Sequence, residues 1–116
     1  MDTVHVFIST GRFRSFAEMR AYVEKTYTPD GDGVPSVFIG EVGLSDYEPA
    51  CIECVHRPRA IPLKELLAGA SYADQWLPTL DDSRLADSAV CAFAPNVVRN
   101  PGRCSLEYVG AFHYHP

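Results

Sequence analysis

The chain opens on an alternation. In "TVHVFIST", Val4, Val6 and Ile8 fall on one side of an extended backbone and His5, Phe7 and Ser9 on the other. That is the period of a strand, with one strongly apolar face. Gly11 ends it, and the period changes. In "SFAEMRAYVEK", Phe16, Met19, Tyr22 and Val23 recur at helical spacing, with Glu18, Arg20, Glu24 and Lys25 on the polar side. Ser15, followed three residues later by Glu18, makes a capping box for this helix. "TPDGDGVP" carries neither period and reads as a loop, its Asp–Gly pairs supplying turn conformations. "SVFIGEVG" suits a short helix capped by Ser36 and ended by Gly43, while its β-branched residues also permit a strand.

"ACIECVH" alternates again and predicts a second strand, followed by "RPRAIP" as a connector. Pro62 opens a helix over "PLKELLAG", because proline at the first helical position loses no hydrogen bond. "SYADQWLPTL" predicts another short helix, capped by Ser71 and stopped near Pro78. "SAVCAFAPN" reads as a buried strand and "NVVRNPGR" as a turn. The last strand is "CSLEYVGAFHYH", with Leu106, Tyr108, Gly110, Phe112 and Tyr114 on one face. The last two strands are expected to pair as an antiparallel hairpin. This order predicts an α+β fold: one layer of about four strands, mixed or antiparallel, with a C-terminal β-hairpin and helices packed on one side. At 116 residues the chain has room for one domain, 1–116, with a real core.

Charge narrows the function. The net charge of −5 speaks against nucleic acid as a partner, since affinity for that polyanion comes from Lys and Arg. It speaks equally against an anionic membrane surface. There is no basic start followed by an apolar run, and no apolar run nears the ~20 residues of a membrane span, so a cytoplasmic protein is expected.

The charge is also unevenly placed. Between Lys25 and Arg57 there is no Lys or Arg, but there are Asp30, Asp32, Glu41, Asp46, Glu48 and Glu53. Between Lys64 and Arg84 come Glu65, Asp74, Asp81 and Asp82. Tyr27, Phe38, Tyr47, Tyr72 and Trp76 lie among them. A solvated acidic face serves solubility. A negative surface studded with aromatics also steers and anchors a basic protein partner. On the second reading the candidate surface is Asp30, Asp32, Glu41, Asp46, Tyr47, Glu48, Asp81 and Asp82, with Trp76 as anchor.

Catalytic and metal motifs are weak. Counted from Asp30 as an EF-hand loop, Asp32 and Glu41 fall on ligand positions, but Val34 and Pro35 stand where a ligand and a glycine are needed. Cys51 and Cys54 form a single CxxC on a strand, facing opposite sides, and zinc needs four ligands. His113 and His115 have a metal-compatible spacing but no indicated third ligand. There is no GxSxG, no GxxxxGK[ST] and no GxGxxG. No catalytic residue, metal or cofactor is expected. The alternative is a small zinc-binding or hydrolytic domain built on Cys51, Cys54 and the C-terminal histidines.

Longer stretches point further. "VHVFISTGRFRSFAEMRAY", "YTPDGDGVPSVFIGEVGLSDYEP", "LLAGASYADQWLP", "FAPNVV" and "SLEYVGAF" together resemble the immunity 22 family of bacterial polymorphic toxin systems. The resemblance covers nearly the whole chain. It implies an α+β protein that does no chemistry and protects its producer cell by binding a cognate toxin. It transfers no catalytic or binding residue. A nuclease or a nucleotide- or NAD-cleaving enzyme is the expected toxin, because such active sites are basic and an acidic surface fits them.

Overall fold

The computed structural model describes every residue except Asp82, so that candidate lies outside the described residues. The chain runs β1 (Asp2–Ser9), α1 (Phe16–Val23), β2 (Thr26–Tyr27), β3 (Gly33–Val34), α2 (Val37–Val42), β4 (Leu44–Ser45), β5 (Ile52–Pro62), α3 (Leu63–Leu66), α4 (Ala73–Trp76), β6 (Leu85–Phe93), β7 (Val97–Val98) and β8 (Glu107–Tyr114). Both early helices start where the sequence places them. Ser15 Oγ accepts from the Glu18 amide at 3.1 Å, and Ser36 Oγ from the Ile39 amide at 3.1 Å. Gly43 ends α2 in the left-handed region, at φ 61°, where its N–H reaches the Ile39 carbonyl.

The fold is α+β, around a four-stranded antiparallel sheet in the order β5-β6-β1-β8. This order corrects the expected C-terminal hairpin. β1 lies between β6 and β8, pairing with both, so the last two strands never touch as neighbours. The residues between them cross the end of the sheet instead of turning back. On the way Val97 and Val98 pair with Ser45 and Leu44 in a second, two-stranded sheet.

The helices do not share one side either. Val4, Val6 and Ile8 pack with Leu63, Leu66, Leu67, Trp76 and Leu80, under α3 and α4. Phe7 packs with Met19, Tyr22, Val23, Phe38 and Val42, under α1 and α2. The sheet is therefore sandwiched between two helical layers. Its inner strand β6 is buried at every position from Ala86 to Phe93, as a strand covered on both faces must be. Each fully buried large apolar side chain contributes about 1.5–3 kcal/mol, so adjacent Val6 and Phe7 stabilise different layers.

Three smaller corrections follow from packing. "RPRAIP" is not a connector: β5 runs through it to Pro62, with its ladder interrupted between His56 and Ile61. Proline is tolerated there because β5 is an edge strand. Ser71 does not cap α4; its hydroxyl donates to Glu53, and Tyr72 at φ 57° precedes the helix. β8 does not keep one face. A bulge opposite Val6 and Phe7, at Gly110 (φ 149°), slips the register by one residue. Leu106 and Tyr108 consequently face the α1/α2 layer, while Val109, Phe112 and Tyr114 face the α3/α4 layer. A one-residue slip flips every following side chain.

Candidate functional site

The "DGDG" stretch is the tip of a hairpin. Thr26 pairs with Val34 and Tyr27 with Gly33. The Thr28 amide donates to the Asp32 carbonyl at 2.9 Å, and the Gly31 amide to the Thr28 carbonyl at 2.9 Å. The Asp32 amide closes on Thr28 Oγ1 at 3.1 Å. Pro29 and Asp30 thus occupy the centre of a turn, and Gly31 follows at φ 88°, which suits glycine. This is a three-residue hairpin loop of a common kind, so the stretch is turn chemistry.

The hairpin displays what a core would hide. Tyr27 is 65% exposed, Val34 43%, and Val37, at the start of the adjoining α2, 58%. Single exposed apolar residues are ordinary. Here three lie on one short segment beside the exposed carboxylates of Asp30 and Asp32. Lys25 Nζ lies 5.5 Å from the Tyr27 ring centroid. Tyr47 joins the segment after β4 to the hairpin's base, its hydroxyl accepting from the Lys25 amide at 3.3 Å. Asp46, next to it, is exposed on a turn at φ 55°.

The other candidates have partners of their own. Glu41 Oε1 accepts from Tyr22 Oη at 2.5 Å, from the Ser105 amide at 3.1 Å and from Ser105 Oγ at 3.0 Å. Burial pushes the Glu41 carboxyl up, but these hydrogen bonds and the nearby Arg12 charge outweigh it and hold the group below its ordinary range. Glu48 is stapled to Asn96: its amide donates to Asn96 Oδ1 at 2.8 Å, and its carbonyl accepts from Asn96 Nδ2 at 3.1 Å. Its carboxylate caps a turn at the Ala50 amide. Trp76 is 1% exposed and packs on Phe93 and Phe112, with its indole N–H on the Ser71 carbonyl at 3.0 Å. It is a core residue and cannot anchor a partner.

Asp81 is exposed and accepts from the amide and hydroxyl of Ser83. It follows Leu80 of the α3/α4 layer, across the sheet from the layer to which the hairpin connects. Glu53 accepts from the amide and hydroxyl of Ser71, also on the α3/α4 side. The run of acids in sequence is therefore several separate places in space. Tyr27, Val34 and Val37 were absent from the candidate set. Tyr27 stood beside the acids, but exposure is a tertiary property.

The residues of the zinc or hydrolytic alternative stay apart. Cys51 packs against the α3/α4 core and Cys54 against the α1/α2 core. Burial pushes the Cys54 thiol up to about 11 and raises Cys91 as well, which disfavours the thiolates that metals and redox chemistry need. His113 Nδ1 lies 3.3 Å from Thr3 Oγ1, and the backbone of His115 is clamped by both ends of the Gln75 amide. Among the described residues no group of three or more His, Cys, Asp and Glu side chains could hold a metal. Ser88, His56 and Asp87 do meet. Ser88 Oγ donates to Asp87 Oδ1 at 2.8 Å and lies 2.8 Å from His56 Nδ1. A catalytic triad places histidine in the middle; here serine is in the middle, fully buried.

Fold and surface define an α+β protein whose sheet lies between two helical layers and whose half-buried Glu41 carboxylate is held by internal hydrogen bonds. No helix among the described residues is long and apolar enough to cross a membrane. The chain belongs to the Immunity protein 22 family, whose family model matches residues 6–115. No curated protein and no solved structure matches it. Family membership gives it an immunity role, and in general terms a toxin as partner.

Proposed function

We propose that residues 1–116 act as one unit that neutralises a cognate bacterial toxin in the cytoplasm of the producing cell, docking through the β2–β3 hairpin and the turn at its base. The observation that carries this reading is the exposure of Tyr27, Val34 and Val37 beside Asp30 and Asp32. Tyr27 supplies a large contact area at low entropic cost, and the carboxylates around it choose a basic partner. Asp46 and Tyr47 extend the surface. Nuclease and nucleotide- or NAD-cleaving toxins suit it, because their active sites attract anionic substrates and would attract these acids. The protein then acts by occupying a surface, with no chemistry of its own.

Binding kinetics with the cognate toxin test this. The double variant Asp30→Lys/Asp32→Lys is expected to slow association about tenfold or more at low salt and to flatten its salt dependence. Tyr27→Ala is expected to raise the dissociation rate, at a cost of about 2 kcal/mol in affinity. Unchanged kinetics in both variants would move the interface elsewhere.

A further inference from the structure

The sheet has two open edges, β5 and β8. An open edge presents unpaired backbone groups, and proteins blunt such edges with bulges, prolines and charges. β8 is blunted by its bulge at Gly110, and its Glu107 is already paired with Arg84. The second half of β5 is blunted by Pro58 and by the broken ladder between His56 and Ile61. The first half, Ile52 to His56, keeps a regular ladder with β6 on its inner side and, among the described residues, has no strand on its outer side.

A groove runs beside that half. Glu53, Val55 and Arg57 line it, with Cys54 between the first two, over a floor that includes Leu66, Leu67 and Ala70, and it encloses about 230 Å³. Alternate residues of a strand share a face, so these three side chains stand in one row, with the outer two about 13 Å apart. Among the described residues Arg57 has no carboxylate partner; its guanidinium reaches only the neighbouring His56 carbonyl, at 3.4 Å.

The order acid, apolar, base is complementary to itself when reversed. We propose that the outer edge of β5 pairs antiparallel with β5 of a second copy about a two-fold axis at Val55. In that pairing Val55 meets its own copy. Glu53 of each chain, its carboxylate already oriented by the amide and hydroxyl of Ser71, meets the other copy's Arg57 with its remaining acceptor capacity, which gives two cross-strand ion pairs by symmetry. Backbone hydrogen bonds extend the sheet from four strands to eight, and the groove accommodates the incoming row of side chains. Pro58 and the interrupted ladder stop the pairing after Arg57, which fixes its register. The pairing uses none of the hairpin residues 26–34, so its test is separate from that of the proposed toxin surface.

Sedimentation velocity on the full chain over a wide concentration range tests the pairing. The wild type is expected to pass from monomer to dimer. Arg57→Glu and Glu53→Lys each place like charges across the axis and are expected to raise the dimer dissociation constant at least tenfold. An equimolar mixture of the two variants restores both ion pairs and is expected to dimerise as the wild type does. Circular dichroism confirms that each variant is folded. If Glu53→Lys fails to fold, Arg57→Glu together with salt-dependent dissociation of the wild type carries the test. A wild type that stays monomeric at every concentration overturns the proposal, as would two folded variants that dimerise unchanged. An added foreign strand on this edge, with no dimer, would overturn it equally.

Discussion

Glu41 gathers three hydrogen bonds on one oxygen, and they tie α1, α2 and the segment before β8 together. Removing it leaves the Tyr22 hydroxyl to Cys104 and Ser105 and takes the acceptor from the Ser105 amide. Glu41→Ala is expected to cost about 1–3 kcal/mol in urea denaturation. The pH dependence has a definite sign. The folded state holds this carboxyl below its unfolded value, so its contribution is complete above about pH 4.3. The contribution is lost as the pH falls through the lower folded value. Glu41→Gln should therefore lose stability mainly above that point and converge on the wild type in acid. Parallel pH–stability curves for the two proteins would show that the charge is not what matters. Glu41 was a candidate for the binding surface because it is an acid in a window of acids; its partners show that it holds the fold.

At the scale of elements, two glycines separate stability from function. Gly43 at φ 61° closes α2, and a Cβ there would lie 2.8 Å from Asn100 Nδ2 and 3.4 Å from Arg99 Cβ. Both neighbours are anchored, because the amides of Arg99 and Asn100 donate to the Val42 carbonyl. Gly43→Ala is expected to cost about 1–2 kcal/mol from the backbone alone, and more if Asn100 cannot move. Gly31 at φ 88° has open space around its missing Cβ and belongs to a hairpin outside both core clusters. Gly31→Val should open the hairpin locally, speeding amide exchange at Thr28 and Asp32 with little change in the melting temperature. On the proposed function the same change weakens toxin binding. A large fall in melting temperature would show the hairpin to be part of the cooperative unit.

For the whole molecule, the two helical layers share one sheet. Val6 and Phe7 are adjacent in β1 yet face different layers, so neither layer has a sheet of its own to keep. Unfolding is expected to be a single transition. Trp76, the only tryptophan, reports from the α3/α4 layer, while Phe38 is buried in the α1/α2 layer. Phe38→Ala is expected to remove about 3–5 kcal/mol. The Trp76 fluorescence transition should shift with the far-ultraviolet circular dichroism transition by the same amount. Fluorescence left unchanged by Phe38→Ala would mean that the layers unfold separately.

Local signals were legible wherever one stretch of chain decides its own geometry. The alternation of β1, the Ser15 and Ser36 caps, the Gly43 terminator and the "DGDG" turn depend on side chains bonding to backbone a few residues away, and each stands in the structure as the sequence placed it. The family, too, was written in contiguous words of sequence. What needed the tertiary structure was whatever depends on partners distant in the chain. Strand order put β1 between β6 and β8, because pairing energy does not record sequence distance. A one-residue bulge at Gly110 divided β8 between two cores. The acidic window was dispersed because three of its acidic residues found their own partners: Tyr22 and Ser105 for Glu41, Asn96 and Ala50 for the Glu48 segment, Ser71 for Glu53. Composition determined that this protein is acidic, and folding decided which of its acids stand free beside exposed Tyr27.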